Sequence, residues 1–70
     1  MKLNVNEVDL EAVIEILPSM KAPTVSKLFG ADGYAVETVV PKIDINTLIP
    51  ALSDAGASDI IEIPLSKIVH

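Results

Sequence analysis

Apolar side chains recur along the chain in two helical stripes and several short runs of β-branched residues. Leu10, Val13, Ile14 and Leu17 fall at i, i+3, i+4 and i+7, and Ile45, Leu48, Ile49 and Leu52 repeat that spacing 35 residues later. Each set lies on one face of a helix. Around them stand stretches suited to pleated backbone: Leu3 to Val5 before the first helix, Thr24 to Leu28 after it, Tyr34 to Val40 before the second and Ile60 to Ile63 after it. The pattern predicts β-α-β twice over.

The punctuation between these segments agrees. Asn6 or Asp9 is placed to cap the first helix, Glu7 and Glu11 suit its positive end, and Pro18 forbids continuation past Leu17, which predicts a helix of about ten residues. Gly30, Asp32 and Gly33 supply the backbone freedom for a hairpin between the second and third strands. Asp44 or Asn46 is placed to cap the second helix, and Gly56 to end it in a left-handed conformation. Pro50 lies inside that helix, where it removes a hydrogen bond and crowds the preceding turn, so a short or kinked second helix is expected.

Two βαβ units joined by a hairpin make an α+β fold, a ferredoxin-like βαββαβ sandwich. It has a four-stranded antiparallel sheet with two helices on one face, and residues 1–70 form a single domain. Alternation turns Leu3 and Val5 toward the helices and Lys2, Asn4 and Asn6 away; in the third strand Val36, Thr38 and Val40 oppose Ala35, Glu37 and Val39. The open face is expected to carry Val39 and Ile60, apolar positions best covered by a partner subunit.

Composition narrows the function. Seventy residues bury only about 60% of their unfolded surface, and ordering them costs roughly 100 kcal/mol, so help from self-association is expected. The chain has no Cys, and its one His is His70, which excludes thiolate metal sites and leaves His-based catalysis without a partner. All five cations are Lys, and Phe29 and Tyr34 are the only aromatic residues, too little for phosphate tracking and base stacking; nucleic acid is not an expected partner. No apolar run reaches the roughly 20 residues that span a bilayer, and the start lacks a signal peptide's apolar stretch. A cytoplasmic setting without membrane partners is expected.

Catalytic constellations are missing as well. Glu7, Glu11 and Glu15 recur every four residues on the polar side of the first helix, the pattern of a solvated face. Gly30-Ala31-Asp32-Gly33 matches no phosphate-binding loop, and two glycines in a hairpin need no other explanation. Ser19, Ser26, Ser53, Ser58 and Ser66 lack a general base in any recognisable motif. An acylphosphatase-like hydrolase on this fold would need an anion-binding Arg, which the chain does not have. No catalytic residue, metal ligand or cofactor is expected in this chain. The segment Leu17-Pro18-Ser19-Met20-Lys21-Ala22-Pro23-Thr24-Val25-Ser26 differs in character: two prolines stiffen the passage from helix to strand, either as a rigid crossover or as a pre-organised set of polar contacts for a small ligand.

These residues carry a family resemblance. The loop Leu17 to Ser26, with Asn4-Val5 and Leu10-Glu11-Ala12-Val13-Ile14 before it and Tyr34-Ala35-Val36-Glu37-Thr38-Val39-Val40-Pro41, Ala55-Gly56-Ala57 and Ile63-Pro64-Leu65-Ser66-Lys67-Ile68 after it, resembles the C-terminal regulatory domain of long-form ATP phosphoribosyltransferases. It covers nearly the whole chain, in order. The resemblance implies a ferredoxin-like domain, similar to the nitrogen-regulatory PII proteins, that binds L-histidine and feeds back on the first step of histidine biosynthesis. It further implies assembly around a threefold axis as a trimer or hexamer, with histidine near the interface, and catalytic domains that lie outside this chain.

The site implied by position comprises Asn4 on the first strand, Met20 and Ala22 in the crossover loop, Thr24 at the start of the second strand, and Val39 and Asp59 on later strands. At the offset of 35, Asn4 corresponds to Val39 and Thr24 to Asp59. Histidine brings an ammonium, a carboxylate and an imidazole. Thr24 and nearby amides would donate to the carboxylate, carbonyls of Met20 and Ala22 or the side chain of Asp59 would accept from the ammonium, and Asn4 would read the imidazole. The alternative is a PII-like oligomerisation or assembly module that has lost histidine or binds another metabolite or protein.

Overall fold

The computed structural model describes residues 1–17 and 22–63. Strand β1 spans Lys2–Asn6, helix α1 Leu10–Ile16, β2 Thr24–Lys27, β3 Gly33–Glu37, helix α2 Ile45–Asp54 and β4 Ala57–Ile61. The sheet order is β2-β3-β1-β4, with all neighbours antiparallel, so β2 and β4 are the two edges. This is the expected α+β ferredoxin-like arrangement.

Its interior follows from strand alternation. Leu3 pairs with Val36 and Val5 with Ala57, and these four pack with Val13 and Leu17 after β1 and with Leu48 and Leu52 of α2 in one buried cluster. Full burial of a side chain such as Leu3 or Leu52 contributes about 1.5–3 kcal/mol. The opposite face has no helix on it in these elements. Across it run two rows of cross-strand neighbours: Thr24, Glu37, Lys2 and Ile61, then Ser26, Ala35, Asn4 and Ser58.

The strands end earlier than the β-branched runs suggest. Pairing of β3 with β1 stops at Lys2 and Glu37, with one further bond from Thr38 N–H to the Met1 carbonyl at 3.0 Å, and Val39 and Val40 belong to the half-buried connection that follows. Val39 is therefore not a strand residue. Ile60 also departs from expectation. On β1 two steps separate Lys2 from Asn4, but their partners Ile61 and Ser58 are three steps apart on β4. The extra residue makes a bulge, which reverses the alternation beyond it: Ile60 turns to the core, where it is partly buried, and Ile61, 50% exposed, takes the open face.

Both helices begin in a three-residue 3-10 turn, Glu7–Asp9 and Lys42–Asp44. Neither Asn6, Asp9 nor Asp44 caps through its side chain. Asp9 and Asp44 already have helical dihedrals because the turn feeds straight into the helix, whereas a capping side chain works from extended backbone. The helix α2 runs ten residues through Pro50 and is not short. Pro50 is exposed, so the Asn46 carbonyl that loses its partner can be met by water. At the helix end Gly56 has φ +110°, as expected of a left-handed stop, and Ala55 N–H bonds back to the Ala51 and Leu52 carbonyls at 3.1 Å.

Candidate functional site

One end of the sheet gathers the starts of β1 and β2 and the ends of β3 and β4. There Ala22, Thr24, Glu37, Thr38, Val39, Met1 and Ile63 line a cavity of about 310 Å³, at the lower limit of small-ligand sites. Thr24 comes to it as the first residue of β2, opposite Glu37. The Thr38 hydroxyl oxygen is buried with no hydrogen-bond partner among the described residues.

The expected site residues therefore fall into two groups. Ala22, Thr24 and Val39 line the cavity; Asn4 and Asp59 meet instead on the neighbouring pair β1 and β4, where the Asn4 side-chain amide donates to Asp59 Oδ2 at 3.2 Å. Met20 lies outside the described residues. Thr24 and Asp59 stand on opposite edges of the sheet, about 14 Å apart at the usual strand spacing, further than one amino acid bridges. The 35-residue correspondence also fails for the strands. β1 and β3 start 31 residues apart, at Lys2 and Gly33, and Asp59 lies within β4 although Thr24 opens β2.

Glu37 and Thr38 were not among the expected residues, although both face the cavity. Glu37 could have been found from the hairpin: once Lys27 pairs with Tyr34, alternation sets Thr24 beside Glu37 on the open face. Nothing comparable singles out Thr38. Among the described residues no three His, Cys, Asp or Glu side chains cluster to hold a metal ion, and no helix is long and apolar enough to cross a membrane.

Comparison with known proteins settles the family. The model of the HisG C-terminal domain matches residues 1–67. The chain belongs to that family. As a HisG C-terminal domain it is 48% identical over 69 residues to an ATP phosphoribosyltransferase of Desulforudis audaxviator, and 46% identical to those of Desulfosudis oleivorans and Pelotomaculum thermopropionicum. Each alignment covers 99% of this chain and 24% of the relative. This HisG C-terminal domain thus spans about a quarter of the length of the curated relatives it matches.

Proposed function

We propose that the chain is the regulatory domain of an ATP phosphoribosyltransferase and holds L-histidine between two copies of itself, giving feedback control over the first step of histidine biosynthesis. The observation that carries this reading is the separation of the polar site residues: Thr24 stands on the edge strand β2, and Asp59 on the opposite edge strand β4 with Asn4 beside it on β1. One copy offers Thr24 and Ala22 beside the cavity, with Glu37 and Val39; the other offers the Asn4–Asp59 pair. Neither half alone surrounds an amino acid. Brought edge to edge around a symmetry axis, as in a trimer or hexamer, they supply hydroxyl and amide donors for a carboxylate and a carboxylate acceptor for an ammonium.

Occupancy would then favour the assembly in which the two halves meet. Coupling to a distant catalytic site follows if the catalytic domains, which belong to the remaining length of such enzymes, differ in arrangement between assemblies. This chain supplies no catalytic residue, cofactor or metal ligand to that reaction and works in the cytoplasm without nucleic-acid or membrane partners.

Titration calorimetry with L-histidine, with the molar mass recorded in the same buffer, tests the reading. Selective, saturable binding by an oligomer is expected, and Thr24→Val is expected to weaken it about fivefold through the loss of one hydrogen bond. A folded oligomer that takes up no histidine would refute the reading and leave an assembly module.

A further inference from the structure

Asp59 has φ +50°, the one positive value outside glycine among the described residues. It sits in the β4 bulge, between Ser58 opposite Asn4 and Ile61 opposite Lys2. Without the bulge, alternation from buried Ala57 would send Asp59 toward the core and Ile60 to solvent. The extra residue thus keeps a carboxylate out of the interior and an isoleucine in it. A glycine would meet the same backbone demand without a Cβ penalty. The chain carries an aspartate there instead, exposed, with Asn4 donating to Oδ2 at 3.2 Å. An exposed hydrogen bond of this kind adds little to stability, so neither the fold's stability nor its backbone geometry requires this side chain.

We propose that Asn4 is a positioning residue: its amide fixes the rotation of the Asp59 carboxylate, which the left-handed bulge carries on the open face as the acceptor for the ligand's ammonium. The inference rests on the histidine-binding reading and assigns Asn4 a different task from contact with the imidazole. Asn4 is well suited to it, because it projects from the central strand β1 directly across from Ser58, whose hydroxyl donates to the Asn4 carbonyl at 3.5 Å.

A double-mutant cycle in histidine affinity decides between the two tasks. Asn4→Ala is expected to weaken binding about threefold to tenfold, Asp59→Gly by more than that, and the double variant no further than Asp59→Gly alone, with melting and molar mass confirming that each variant folds and assembles. Losses that multiply, or an unchanged affinity for Asn4→Ala, would overturn the proposal. The side-chain amide resonance of Asn4 in the ligand-free protein provides the second readout. It should move when Asp59 is replaced by Gly, and an unmoved resonance overturns the positioning even where histidine binds. Failure of the unaltered chain to bind histidine refutes the ligand reading instead, and the resonance still decides whether Asn4 holds Asp59.

Discussion

Single residues carry the backbone decisions of this domain. Gly56 combines φ +110° with a close neighbour: a Cβ added there would stand 2.5 Å from Asp9 Oδ2 and 2.7 Å from its Cγ. Gly56→Ala is expected to cost about 1–3 kcal/mol in chemical denaturation, and removing the carboxylate with Asp9→Gly in the same chain should return part of that cost. An additive pair would show that the contact is not what excludes a side chain. At Asp59 the order of substitutions is informative. Asp59→Val places a β-branched residue at φ +50° and should destabilise by about 1–2 kcal/mol, whereas Asp59→Gly should leave stability within about 1 kcal/mol. Gly56 was readable in the sequence because a lone glycine after a helical stripe has few other uses. The bulge was not: strict alternation across Ile60-Ile61-Glu62-Ile63 assigns Ile60 to the wrong face, and only pairing with β1 reveals the extra residue.

At the scale of elements, the repeat of 35 residues holds for the helices and fails for the strands. The 3-10 turns at Glu7 and Lys42 and the helix starts at Leu10 and Ile45 keep the offset, whereas β1 and β3 start 31 residues apart, at Lys2 and Gly33. Helical stripes report their own period, so their positions were legible. Strand ends are set by a neighbour's hydrogen bonds, which the run Val36 to Val40 could not disclose. The sequence run therefore puts Val39 on a strand and does not single out Glu37 beside Thr24. Pro50 predicts a short or kinked α2; the helix is not short and runs ten residues through Pro50, with the freed carbonyl on an exposed stretch. Pro50→Ala should restore that hydrogen bond and raise stability by about 2 kcal/mol in urea denaturation, the helix gain less the entropy that proline removes from the unfolded chain. A loss of stability would mean that Pro50 makes packing contacts that outweigh the missing bond.

The whole molecule has a thin interior, which includes Leu3, Val5, Val13, Val36, Leu48 and Leu52. A 70-residue domain has roughly 3.5–10 kcal/mol of stability in total, and Leu52→Ala removes about 2–5 kcal/mol of it. That variant should be largely unfolded when dilute and recover with protein concentration, because association and ligand binding stabilise the folded state by mass action. Concentration-independent melting would argue against assembly as a source of stability. The fold was legible because helix period, turn glycines and chain order converge on one topology. The site was legible only in outline: family resemblance supplied Asn4, Met20, Ala22, Thr24, Val39 and Asp59, but the distance between Thr24 on one edge strand and Asp59 on the other needed the strand order. Whether histidine is held between a Thr24 edge and an Asp59 edge of two copies is decided by mixing. Chains carrying Thr24→Val and Asp59→Gly, each weak in binding, are unfolded together, refolded as mixed oligomers and titrated with L-histidine. About a quarter of the sites should then regain full affinity, since one interface in four pairs two unaltered halves under random cyclic assembly. Recovery of none would contradict a site shared between copies.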